Sequence, residues 1–163
     1  MSDADLAVLR RQLGRPARGV LGIAARCVCG NPTVVATAPR LPDGTPFPTF
    51  YYLTHPAATA AMSALEAGHV MPELLAEMEA DPELISAYRR AHEQYLADRA
   101  QFGEVPEIAG ISAGGMPTRV KCLHALAAHA LAAGPGVNPV GDAALSRAAW
   151  SSEVCACPPE ESG

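Results

Sequence analysis

Cys27 and Cys29 stand one residue apart in the stretch CVCGNP, directly before the turn residues Gly30-Asn31-Pro32. In an extended strand, residues i and i+2 point to one face, so both sulfurs face the same way. Their α-carbons lie about 6.5–7 Å apart, at or beyond what a disulfide tolerates. Two ligands to one soft metal ion suit that spacing better, because metal–sulfur bonds of about 2.3 Å leave sulfurs nearly 4 Å apart. Topology supplies a third ligand. If the strand after Asn31 runs away from the turn and the next returns, His55 arrives at the same end of the sheet. A fourth comes from the last long helix, in TRVKCLHALAAHALA (118–132). On a regular helix His124 lies about 200° round from Cys122, and His129 lies about 10 Å further along the axis. Only one of the three can join, and Cys122, near the loop end, is the choice. The expected ligand set is therefore Cys27, Cys29, His55 and Cys122, holding zinc or a small iron–sulfur cluster.

The elements that must position these residues follow from punctuation and pattern. Asp3 to Leu13 reads as an amphipathic helix ended by Gly14. Residues 19–29 and 33–37 read as strands about the Gly30-Asn31-Pro32 turn, and 49–54 as a third. Short connections between successive strands favour an antiparallel meander. After His55 the chain reads helical: from Pro56 to about Glu66, from Met71 to Ala80, and from Pro82 to about Phe102 under an Asp81 cap. Pro117 is expected to open the last long helix, NPVGD (138–142) reads as a turn, and a short helix follows Asp142 through Trp150. The fold class is α+β: a small three-stranded antiparallel sheet packed against four to six helices. Residues 1–150 form a single domain, and 151–163 a flexible tail. Cys155 and Cys157 repeat the C-x-C form in that tail and are left outside the ligand set.

A second feature is SAGGMPTRVK (112–121). Glycines before a helix let backbone approach a ligand, and free N–H groups there favour an anion. Ser112, Gly114 and Gly115, with Arg119 and Lys121, form a candidate anion site; the alternative is a plain capping loop around Pro117. The spacing matches neither common nucleotide fingerprint. An enzyme reading would bind a phosphorylated or other anionic small molecule at Ser112–Met116 and use Cys29 or His55 chemically. A third reading is a metal-free interaction module with an alanine-rich helical surface.

The whole-chain numbers limit the partners. The 163 residues are 49% hydrophobic, enough for a core, and the net charge of −5 argues against a nucleic-acid binder. No apolar run reaches a membrane span's length, and the N-terminus has no signal-peptide pattern. A cytoplasmic location is expected, where five cysteines read as core, metal or reactive residues before disulfides.

The stretches CVCGNPTVVATAPRLPDGTPFPTFYYLTHP and GISAGGMPTRVKCLHALAAHALAAGPGVNPVGD resemble the bacterial family known as domain of unknown function 501, over about residues 5–145. The resemblance implies a cytoplasmic protein whose gene often neighbours those of a septum-formation initiator and an exopolyphosphatase-like enzyme. It thus implies a protein partner in envelope or division processes. It supplies no reaction. The family's thiol positions match Cys27, Cys29 and Cys122. Relatives often carry cysteine where this chain has His55, which implies mixed coordination here.

Overall fold

The computed structural model describes residues 1–158 of the 163. Three strands, β1 (Val20–Arg26), β2 (Pro32–Thr37) and β3 (Tyr51–Leu53), form one antiparallel sheet in the order β1-β2-β3. Six α-helices accompany it among the described residues: α1 (Asp3–Leu13), α2 (Pro56–Ala67), α3 (Val70–Glu79), α4 (Pro82–Ala100), α5 (Leu123–Ala133) and α6 (Pro139–Arg147). The α+β class read from the sequence is the class observed.

Local chemistry explains most boundaries. Ser2 and Asp5 form a reciprocal capping box on α1, and Gly14 ends it in a left-handed conformation. Three helices start the same way, with a polar cap followed by proline at the first turn: His55-Pro56, Asp81-Pro82 and Asn138-Pro139. The last pair corrects the turn expected at 138–142. Asn138 is fully buried and its side chain accepts the Gly141 N–H at 2.9 Å, so this segment begins α6.

The start of α5 is a second correction. Pro117 does not open that helix, which begins at Leu123. The carbonyl of Gly114 accepts the Lys121 N–H at 2.7 Å, and that of Gly115 accepts the Arg119 N–H at 2.8 Å. These bonds hold 117–122 in a non-helical loop, and Cys122 is extended, with φ −147° and ψ 107°. A side chain on Gly114 would sit 2.7 Å from Leu126, and one on Gly115 2.7 Å from the Arg119 carbonyl. The two glycines let this loop close on itself and on α5.

The core lies between the sheet and α5. Val34, Phe50, Tyr95, Leu126 and Met62 are buried there. His129, on α5, is buried among them. Its ring stacks on Tyr51 at 5.6 Å and meets the edge of Tyr95 at 5.1 Å. The Asn138 amide donates to its Nδ1 at 3.1 Å. Burial pushes the His129 pKa down to about 4, so the ring is a neutral core residue. α6 crosses α5 at Gly141, where a β-carbon would stand 2.2 Å from the Leu126 carbonyl oxygen.

Two outcomes follow. Gly141→Ala should destabilise the fold by about 3 kcal/mol in denaturant melts, because backbone must move to admit the methyl. Gly22→Ala, with nothing within 4 Å of its added carbon, should change stability by less than about 0.5 kcal/mol. The His129 imidazole takes up a proton near pH 6.5 when unfolded and only near 4 when folded. Its contribution is complete above the unfolded value and is lost as pH falls. This ring should contribute a fall of about 2 kcal/mol in unfolding free energy from pH 7 to pH 5, read as the difference between the pH profiles of the wild type and His129→Gln, and identical profiles would contradict a buried neutral ring.

Candidate metal centre

The β1–β2 turn presents the first two thiols: β1 ends at Arg26, so Cys27 and Cys29 lie in the turn itself and not on one face of the strand expected to run to residue 29. The Cys27 N–H donates to the Asn31 carbonyl and the Gly30 N–H to the Cys27 carbonyl, both at 2.8 Å. Gly30 takes φ 94°, a left-handed value that a side chain would oppose. Arg26 braces the turn from outside. Its guanidinium donates to the Gly30 carbonyl at 2.9 Å and pairs with both Asp5 oxygens at 2.7 and 3.0 Å. That pairing ties α1 to the turn and holds the Asp5 carboxyl well below the usual range.

The C-terminal segment meets this turn. Trp150 is buried, with its ring 5.3 Å from His55. The Val28 N–H donates to the Ser152 carbonyl at 2.9 Å. The chain then delivers Cys155 and Cys157, so that one sulfur from each of Cys27, Cys29, Cys155 and Cys157 lies within 4.8 Å of every other. The Cys29 and Cys157 sulfurs are 3.5 Å apart. Cys27 is buried and Cys29 and Cys155 are exposed, so the group sits at the surface with one thiol rooted inside. These four thiols could hold a metal ion. Within the segment expected to be a flexible tail, Ser152 and the Cys155 and Cys157 sulfurs meet the hairpin while most of 151–158 is exposed; 159–163 lie outside the described residues.

The electrostatics of the four thiols are uneven. The Asn31 N–H brings the Cys29 thiol down to about 7. Burial pushes Cys27 up, and burial together with neighbouring thiols pushes Cys157 up to about 12. Four sulfurs this close cannot all ionise on their own, since each negative charge raises the cost of the next. A cation among them removes that conflict.

His55 stands at the edge of the group. It is 1% exposed, and its Nε2 lies 3.1 Å from the Cys157 sulfur. Its Nδ1 accepts the Ala58 N–H at 3.4 Å as the cap of α2. Burial lowers its pKa, so the ring is neutral. An accepting Nδ1 places the one ring proton on Nε2, which then donates to sulfur.

Cys122, the expected fourth ligand, lies in a different group. It shares a second cluster with Glu66 and His124, whose ligand atoms also fall within 4.8 Å of one another. Helix α2 accounts for the separation. Its cap, His55, touches Cys157, while Glu66 near its other end accepts from His124 and from the Leu123 N–H. Positions 55 and 66 of one helix are about 16 Å apart along its axis. Cys122 and His124 come together because Cys122 precedes the helix; the 200° divergence expected of them applies only to two helical residues. His124 holds the Cys122 thiol below its usual range, and the thiol raises His124 in turn.

The residues proposed for an anion have other engagements. Ser112 is buried and its hydroxyl lies 2.7 Å from His92 Nδ1. Gly114 and Gly115 serve the loop closure already described. Arg119 and Lys121 are exposed and precede α5 instead of occupying its first turn.

Sequence reasoning passed over Cys155 and Cys157, although their C-x-C spacing repeats that of Cys27 and Cys29. No helix among the described residues is long and apolar enough to cross a membrane. No curated protein and no solved structure matches the chain. The family model described as "Protein of unknown function (DUF501)" matches residues 23–146, which include Cys27, Cys29, His55 and Cys122 but stop short of Cys155 and Cys157. By that match, the chain belongs to the DUF501 family of proteins of unknown function.

Proposed function

We propose that this protein binds one zinc ion through Cys27, Cys29, Cys155 and Cys157, and that the ion is structural. The observation that carries the reading is the mutual approach of four sulfurs from the two ends of the chain, all within 4.8 Å. Tetrahedral zinc with bonds of about 2.3 Å sets sulfurs about 3.8 Å apart, so small side-chain adjustments suffice. A polynuclear iron–sulfur cluster distributes its thiolates over several irons with sulfides between them. That arrangement needs a wider spread of sulfurs than these four have, which favours a single ion.

With four thiolates the coordination is closed, the pattern of sites that hold structure. The ion ties residues 128 positions apart, Cys29 and Cys157. Closing a loop of that size removes on the order of 4–5 kcal/mol of chain entropy from the unfolded state. His55 is assigned to the second layer, donating Nε2–H to Cys157 and so lowering the charge the sulfur must carry. Free thiolates persist in a reducing compartment, so the reading implies a cytoplasmic location. The division-linked partner suggested by family resemblance belongs with it as an interaction that the clipped fold would present.

Metal analysis of anaerobically purified, untagged protein tests this. The wild-type chain should retain one zinc through treatment with a mild chelator, and Cys29→Ser/Cys157→Ser should lose it, with a clear fall in melting temperature. Retention of the ion by that variant, or a brown protein carrying several irons, would contradict the reading. His55→Asn preserves a helix cap but removes the donor to sulfur. It should keep the one-to-one stoichiometry while zinc affinity falls about 10–100-fold in a competition titration.

A further inference from the structure

We propose that Cys122, His124 and Glu66 form a second metal site, which binds one zinc-like divalent cation through sulfur, nitrogen and oxygen and leaves a fourth position to solvent. The site is separate from the four thiols and does not depend on them. Its three donors differ in kind but converge, one atom from each within 4.8 Å of the others. Glu66 Oε1 and His124 Nδ1 are 3.2 Å apart. Zinc bonds of about 2.0–2.1 Å to nitrogen and oxygen at a tetrahedral angle separate those two atoms by about 3.3 Å.

The supporting contacts are those a ligand set needs. The Leu123 N–H donates to Glu66 Oε1 at 2.9 Å and fixes the carboxylate against the start of α5. Ser63 Oγ lies 3.0 Å from His124 Nε2, so the ring is held with Nδ1 turned towards Glu66. Cation binding at Nδ1 leaves the single ring proton on Nε2, where Ser63 Oγ accepts it, and releases the Cys122 thiol proton to solvent. Such outer contacts orient ligands and select a tautomer. The His124 and Glu66 side chains remain 27% and 26% exposed, so a cation can enter and a small ligand can reach it. Three protein ligands with one open position are the pattern of sites that exchange ligands, unlike the closed four-thiol centre.

The competing reading is a Ser63–His124–Glu66 proton relay. Ser63 lies inside α2, where the surrounding backbone amides are committed to the helix. Helix α2 therefore offers that hydroxyl no pair of free amides to receive a developing oxyanion, as acyl transfer requires.

The test uses full-length protein that has been passed through a mild chelator and still holds its tightly bound ion. Added zinc should bind as one further equivalent. It should also slow iodoacetamide alkylation of Cys122 at least tenfold, read peptide by peptide by mass spectrometry. Glu66→Gln keeps the acceptor for the Leu123 N–H and should fold normally. It and His124→Ala should lose both the extra equivalent and the protection of Cys122 while keeping the first ion. No further equivalent in the wild type, unprotected Cys122, or protection that persists in both variants would overturn the proposal. Failure of the four-thiol reading would register separately, as free alkylation of Cys27, Cys29, Cys155 and Cys157.

Discussion

The close approach of four thiols, which could not all ionise beside one another unaided, is the constraint on which the rest of this structure turns. The protein brings four sulfurs together at one surface point, and only a cation lets all four carry charge there. Much of the surrounding architecture serves that approach. Arg26, paired with Asp5 of α1, clamps the carbonyl of Gly30 and steadies the C-x-C turn. Trp150 is buried beside His55 and sets the direction in which the last residues leave the core. A single backbone bond from Val28 to Ser152 then aligns the two Cys-x-Cys segments.

Helix α2 organises the chemistry beyond this point. Its N-terminal cap, His55, uses one ring nitrogen for the helix and the other for Cys157. Near its C-terminal end, Ser63 and Glu66 hold His124 from two sides. One element therefore stands beside a four-thiol group at one end and a group of three mixed donors at the other. The alanine-rich α5 packs against both the sheet and α6, and Gly141 lets α6 approach the α5 backbone closely. The two groups thus stand at opposite ends of α2, one beside its cap His55 and the other at Glu66 near its C-terminal end.

The sheet order and the first four helices were legible because most of their boundaries are written in local chemistry, as at Gly14 and at the caps followed by proline at 55–56 and 81–82; the first turn was read at 30–32, whereas the Gly30 N–H to Cys27 carbonyl bond closes it from Cys27. The same signal was present at Asn138-Pro139, where a turn was read, and it marks a helix start. The loop before α5 was not legible. Pro117 is well suited to open a helix, but the carbonyls of Gly114 and Gly115 take amides that the helix would have used. That difference moves Cys122 off the helix, lets it meet His124, and removes it from the expected ligand set. The pairing of Cys155 and Cys157 with the hairpin was hidden for another reason. A short polar tail shows no periodicity, and its placement depends on the burial of Trp150, a tertiary contact. The repeated C-x-C spacing was the one local clue.

X-ray absorption at the zinc edge, on full-length protein retaining only its tightly held ion, tests the central claim most directly. The account predicts a single shell of four sulfurs at about 2.3 Å and no metal–metal scattering. A shell containing nitrogen or oxygen in place of two or more sulfurs, or an iron–iron distance at the iron edge, would contradict it.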